Sequence, residues 1–246
     1  MSANTKIIIG LVALALILLL NWWFKEDESG ESAGDSSDSD AAPPDEESMD
    51  CLRTNAHQLV WAGFHDRAEI IEMLPDVSTA EVSASILAPL VDAEIVRKGE
   101  AERGWPGETD CDRLDAAFEE LHTQGVFAQQ YVGYTQSDGF QDVSEALAGE
   151  DEGKYTGFCF FTAQDVDHLL EGERSLFLAF GDSEVGERAV EVGHKICSVM
   201  RGAGFETQWD ETPDTRIELK NIDWKRRGLK DAHARLAIRS HQCASR

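Results

Sequence analysis

The sequence predicts an α/β fold, with N-terminal helices followed by a mixed-sheet α/β sandwich and preceded by one transmembrane helix. Three observations support this prediction. An uncharged apolar run stands near the N-terminus, and such a run is typical of a membrane span. Apolar residues then recur at the three-and-four spacing of helices, and after them strand-like and helical runs alternate.

The apolar run covers residues 7–24, where Asn21 interrupts the apolar residues. At 1.5 Å per residue such a helix spans about 27 Å, close to the thickness of one hydrocarbon core. We therefore expect residues 1–24 to be an anchor, with the membrane as partner through 7–24. A cleaved signal peptide is the alternative, but Trp22 and Trp23 are bulky where cleavage requires small residues.

Charges beside the run bear on the orientation of the anchor. Lys6 and the α-amino group precede the helix, and Lys25 follows it. Positive charge favours the cytoplasmic side. For a bacterium, this bias predicts a single-pass protein of the inner membrane with a periplasmic or otherwise extracytoplasmic domain.

The segment 25–53 is predicted to be a disordered acidic tether. Residues 26–50 hold eleven acidic residues and no Lys or Arg, and such a segment has too little apolar surface to offset its ordering entropy. We expect the soluble α/β domain to cover residues 54–246.

The whole chain is acidic, with 47 acidic residues against 22 Lys and Arg and a net charge of −25. Binding to nucleic-acid phosphates depends on basic side chains, so we expect no nucleic-acid partner. Residues 51–223 alone carry −22. Such a surface is typical of a protein adapted to concentrated salt, and an ordinary acidic protein is the equal alternative.

Within the domain, the pattern predicts a helix from residue 54, a second over 79–97, and a third that starts with the capping-box-like Thr109–Asp112 sequence. The later helices are predicted at 142–147, 163–170 and 187–200, and a short basic helix at 229–239. The five predicted strands are 126–132, 155–161, 175–180, 205–209 and 216–222, and the last two should pair antiparallel across a short turn.

Two groups of carboxylates are candidate binding residues. Asp110 and Asp112 stand at a predicted helix start, where they could hold a hard cation or act as a base, although capping is the favoured interpretation. Asp138 lies with Tyr134 and Gln136 in the segment 133–139, which we expect to be a polar loop. That loop is the best single candidate site, and a simple turn is the alternative.

The basic segment 223–227 supplies three further candidates, Asp223, Trp224 and Arg226. It could bind an anionic partner, but covering the acidic surface of its own domain is the favoured interpretation. The five cysteines are odd in number and lack metal-ligand spacing, and Cys111 is a weak candidate nucleophile. We expect no cofactor and no metal.

Several segments resemble a bacterial family of uncharacterised proteins, the domain of unknown function numbered 6891. These segments are Thr109–Phe118 with the preceding Trp105-Pro106, the strand pair 157–161 and 176–181, Trp209-Asp210, Arg216-Ile217, and the segment 223–227. The resemblance covers roughly residues 54–228 and implies no activity. Some relatives carry a thiol-rich loop where this chain has 134–139, so the resemblance implies no soft-metal role for that loop here.

The sequence leaves two hypotheses for the function of the protein. The first is a non-catalytic binding or scaffold module held at a membrane, with a protein or small-molecule partner. The second is an enzyme that uses the carboxylates of Asp138 and Asp112, and it requires those side chains to share one concave pocket with a base.

Overall fold

The computed structural model describes residues 44–76, 82–183 and 188–228. Its helices are α1 (Glu46–Ala62), α2 (Arg67–Met73), α3 (Ala84–Glu102), α4 (Asp110–Thr123), α5 (Gln136–Ala148), α6 (Ala163–Leu170) and α7 (Ala189–Gly202). Its strands are β1 (Val126–Gln129), β2 (Gly157–Phe160), β3 (Ser175–Asp182), β4 (Glu206–Gln208) and β5 (Ile217–Lys220).

The first helix begins earlier than the sequence pattern predicts. Asp45 caps α1 by accepting a hydrogen bond from the Ser48 backbone N–H, and Leu52 is already fully buried. The helix ends at Gly63, whose φ of +80° favours glycine, so the apolar pattern from residue 54 belongs to two helices rather than one. Residues 46–53 are therefore part of the folded domain, not of the tether.

The helices α1, α2 and α3 enclose a small apolar core of their own. Leu52, Val60, Ile70, Leu87 and Val91 form this cluster, and each is nearly or wholly buried. The helix α3 begins at Ala84 rather than near residue 79 and includes Pro89. Pro89 lies near the start of α3, so the helical hydrogen bond that its missing N–H cannot donate is in the first two turns and the rest of the helix is unaffected.

Five strands form one mixed sheet in the order β1-β2-β3-β5-β4. The strands β1 and β2 are parallel, since α5 connects them as a crossover. The remaining neighbours are antiparallel, including the β4–β5 pair. The predicted mixed sheet and the antiparallel last pair are both confirmed, and the predicted strands lie within a few residues of the observed ones.

Alternate residues of the strands face two different cores. On one face Ala128, Cys159 and Leu178 join the main core with residues of α4, α6 and α7. On the other face Phe127 and Phe160 pack with Ala179 and with Val143 of α5. The helix α5 thus contributes to the second face, beside the β1 and β2 strands.

Among the described residues, no helix is long and apolar enough to cross a membrane. The anchor predicted at 7–24 lies outside the described residues, and so does the basic helix predicted at 229–239.

Candidate functional site

The segment 133–139 is not the loop that the sequence pattern predicts. Thr135 is the N-cap of α5 and Asp138 is its third residue, and the two close a capping box. The Asp138 carboxylate accepts a hydrogen bond from the Thr135 backbone N–H at 2.9 Å, and this bond lowers the pKa of Asp138. Gln136 is the first residue of α5, and Tyr134 is 56% exposed just before it.

Asp110 and Asp112 have the same kind of structural role at the start of α4. Thr109 and Asp112 form a second capping box, in which the Asp112 carboxylate accepts from the Thr109 N–H at 2.8 Å. Asp110 accepts from Arg113 at 2.7 Å and from the backbone N–H of Asp223 at 2.9 Å. Capping and ion pairing therefore account for both carboxylates.

The basic segment 223–227 lies against its own domain. Arg227 donates to Asp112 at 3.0 Å, and Arg226 donates to Asp115 at 2.8 Å. The Trp224 ring packs beside Phe161, with 6.0 Å between ring centroids. These contacts agree with the interpretation that the segment covers the acidic surface of its own domain.

The described side chains do not assemble the catalytic site that the second hypothesis requires. Asp112 and Asp138 cap different helices, and neither lines the groove or the two smaller cavities described below. Burial raises the pKa of the Cys111 thiol to about 12, which makes it a poor nucleophile. Among the described residues no group of three or more His, Cys, Asp or Glu side chains is placed to hold a metal ion.

A groove that the sequence analysis missed lies between α5 and the sheet, with a volume of about 590 Å³. We call it the aromatic groove. Its walls come from α5, from the loop 150–153, from β2 and the residues just before it, and from the end of β3. The lining residues are Phe140, Val143, Ser144, Leu147, Ala148, Glu150, Asp151, Glu152, Gly153, Tyr155, Phe158, Asp182 and Ser183.

The floor of the aromatic groove is a set of edge-to-face rings. The Phe140 ring stands at 86° to Phe160, with 5.1 Å between centroids, and at 90° to Phe158, with 5.8 Å. Such geometry is the favoured one for aromatic pairs. Phe160 is fully buried, whereas Phe140 remains 39% exposed. The floor is therefore fixed from below and open to solvent above.

Two glycines allow this arrangement. A Cβ placed on Gly181 would stand 2.6 Å from Cζ of Phe158, so the bare backbone of β3 lets that ring lie across it. A Cβ on Gly139 would stand 2.3 Å from Cε2 of Phe160, so α5 can approach the sheet only because that residue is glycine.

Carboxylates form the rim of the groove. Asp151 and Glu152 are exposed in the loop after α5. Glu150 forms a salt bridge with Lys154 at 2.5 Å, and Asp182 lies 3.9 Å from Arg188. A ligand in the groove thus meets an apolar floor and a rim that carries net negative charge.

Two other cavities contain unusual ionisable groups. A cavity of about 290 Å³ between α1, α2 and α3 includes Lys98, whose pKa burial lowers to about 8. Lys98 donates to the Val60 carbonyl at 2.9 Å, near the end of α1, so its contact is that of a helix C-cap. A shallower cavity of about 550 Å³ beside β1 is lined by Asp115, His122 and Arg226 among others.

Asp167 on α6 is a buried carboxylate that the sequence pattern did not single out. Burial, with a smaller contribution from Glu171, raises its pKa to about 6. Tyr131 interacts with it electrostatically, and burial raises the pKa of Tyr131 as well. Tyr131 also has a φ of +58°, which is unusual for a residue with a side chain.

Comparison of the chain with protein-family models identifies its family. The model described as "Domain of unknown function (DUF6891)" matches residues 45–228. The chain belongs to this family. The start of the DUF6891 match coincides with the N-cap of α1, which agrees with the observed start of the folded domain. No curated protein and no solved structure matches the chain.

Proposed function

We propose that this DUF6891 chain is a non-catalytic binding module tethered to a membrane, and that the aromatic groove is its binding site. The partial exposure of Phe140 in a rigid aromatic floor carries the proposal. A preformed concave surface with apolar lining and a few polar groups is typical of binding sites. A solvent-exposed ring that is held in place in such a surface loses little conformational entropy when a partner covers it.

The chemistry of the described residues supports binding over catalysis. The carboxylates of Asp112 and Asp138 serve helix caps, and the Cys111 thiol is buried and protonated. The groove itself brings together carboxylates, two serines, a Tyr and Phe rings, and no His or Cys is among its described lining residues.

Attachment to the membrane is the second part of the proposal, and it rests on the apolar run at 7–24. Extraction of membranes at alkaline pH tests it. The full chain should stay with the lipid, whereas a chain that begins at Pro44 should be released. Release of both chains contradicts the tether. Separate fusions of alkaline phosphatase and a fluorescent protein to Arg246 report the orientation, and an extracytoplasmic domain predicts phosphatase activity without fluorescence.

Photo-cross-linking in membranes tests the groove. A photoreactive phenylalanine analogue replaces Phe140 in the full chain, and a matched chain carries it at Val96 of α3, which is 62% exposed and does not line the groove. We expect a light-dependent adduct of defined mass from position 140 and none from position 96. Equal adducts from both positions, or none from 140, contradict the proposed site.

A further inference from the structure

We propose that the occupant of the aromatic groove is a protein segment that places basic side chains beside an apolar anchor. This inference rests on the proposed function, because it names the partner chemistry of the same groove. The juxtaposition of an exposed aromatic floor and an acidic rim in one concave surface carries it.

The floor selects an apolar anchor. Phe140 is 39% exposed and its ring is held edge-on against Phe158 and Phe160. Covering it removes apolar surface from water without ordering a mobile side chain, and that is the usual contribution of an anchor residue at an interface. The groove volume of about 590 Å³ is ample for one or two branched or aromatic side chains.

The rim selects positive charge. Glu150 is neutralised by Lys154, but Asp151 and Glu152 are exposed carboxylates next to the apolar floor. Residues 51–223 carry −22, so the field of the whole domain also attracts cations. An acidic or phosphorylated segment is repelled at the same place. Charge complementarity therefore favours a basic partner segment and speeds its encounter.

Two other occupants become outcomes of the test. A polyamine has the charge but lacks the apolar anchor. This chain's own segment 229–246 has both, since it carries a net charge of +3 together with apolar residues such as Leu229 and Leu236. We take a separate partner as the occupant, because the basic residues of this chain that the structure describes near its end, Arg226 and Arg227, are already paired with α4 and do not line the groove.

The experiment measures fluorescence anisotropy with the full chain in lipid nanodiscs. The probe is a labelled twelve-residue peptide of alternating Arg and Leu. One matched peptide has Glu in place of Arg, and another has Ser in place of Leu. The test variants are Phe140→Ser and the pair Asp151→Lys with Glu152→Lys. The control pair Glu72→Lys with Glu173→Lys makes the same change in net charge at exposed positions away from the groove.

We expect the Arg-Leu peptide to bind and both matched peptides to bind at least about tenfold more weakly, with affinity that falls as salt rises. Phe140→Ser and the pair at 151 and 152 should each weaken binding about tenfold, and the control pair about twofold or less. Failure of the Arg-Leu peptide to bind overturns the inference, as do equal effects of the two charge-reversal pairs. Equal binding of the Arg-Ser peptide points to a simple polycation and also overturns it.

Two outcomes separate this inference from the proposed function. If the adduct at position 140 forms in membranes but is unchanged by the 151 and 152 substitutions, the groove remains a binding site and the basic chemistry is wrong. If a chain that ends at Gly228 binds the peptide at least tenfold more tightly than the full chain, the segment 229–246 is the resident occupant, and the separate partner is wrong.

Discussion

The guanidinium of Arg226 lies over the ring of Phe64, with 4.1 Å from Cζ to the ring centroid. The same side chain donates to Asp115 at 2.8 Å and to Gln130 at 3.3 Å. One residue near the C-terminal end of the described chain thus joins the loop after α1 to α4 and to the end of β1.

Replacing Arg226 tests whether this contact stabilises the domain. Arg226→Ala should lower the free energy of unfolding by about 1–2 kcal/mol, because it removes a stacked cation and a charge-assisted hydrogen bond. The free energy of unfolding of Arg226→Lys should lie between those of the unchanged protein and Arg226→Ala, since a Lys keeps the charge but not the planar stack. Urea unfolding measures both, with Arg53→Ala as the control. Arg53 pairs with the exposed Glu46 and Asp50 at the surface of α1, so its loss should change the stability much less than the loss of Arg226.

The close approach of α5 to the sheet gives a second prediction. Gly139→Ala puts a Cβ 2.3 Å from the fully buried Phe160 ring, so we expect a loss of about 1–3 kcal/mol from overpacking. The control is Gly99→Ala within α3, where no atom other than those of the adjacent residues and the helix's own backbone lies within 4 Å of the new Cβ. There alanine should stabilise by about 0.5–1 kcal/mol. Thermal melting distinguishes them, and a Gly139→Ala protein as stable as the Gly99→Ala protein contradicts the packing of α5.

The raised pKa of Asp167 predicts a dependence of stability on pH. Because the folded pKa of about 6 exceeds the ordinary value of 3.8, the folded state holds the proton more tightly than the unfolded chain. The resulting stabilisation is fully present below about pH 4 and is lost as pH rises through about 6. Asp167→Asn should therefore raise the free energy of unfolding at pH 7.5 by about 2 kcal/mol, with a much smaller effect at pH 4.

Denaturant unfolding at the two pH values checks this prediction. Asp142→Asn, a change at an exposed carboxylate of α5, serves as the control and should change little at either pH. If Asp167→Asn destabilises the protein equally at both pH values, the prediction is wrong, and the Asp167 side chain instead makes a contact that stabilises the fold.

The start of the domain gives a fourth prediction. A chain that begins at Pro44 retains the Asp45 cap and the fully buried Leu52, whereas a chain that begins at Thr54 loses both. Removing a buried leucine and a helix cap should cost at least about 3 kcal/mol. Melting curves of the two shortened chains measure the difference, and identical midpoints contradict the assignment of residues 46–53 to the fold.

Most of the fold could be predicted from the sequence, because the patterns that define it are local. The alternation of strand and helix and the capping box that starts at Thr109 are such patterns, and the structure confirms them. The start of α5 was missed although Thr135 and Asp138 repeat the spacing of Thr109 and Asp112. In that segment the exposed polar residues favoured a loop, and the hydrogen-bonding pattern of the capping box was the signal that could have corrected it.

The aromatic groove could not be predicted in the same way. Its floor depends on the register that sets Phe158 opposite Gly181 across two strands, and on a helix that brings Phe140 to them. Phe158 and Phe160 alternate along β2 and so share one face of the sheet, but nothing local shows that part of that face stays open. Long-range pairing decides this, and a single sequence does not record it.

The contact between Phe64 and the segment that carries Trp224 and Arg226 has a consequence for biosynthesis. Phe64, in the loop after α1, leaves the ribosome early, whereas Trp224 and Arg226 are among the last residues of the described domain to be made. A contact between such distant parts of the chain is slow to form, since the intervening loop must first be closed. During translation Phe64 therefore lacks its contacts with Trp224 and Arg226 until the segment 223–227 has left the ribosome, and only then can this side of the main core close.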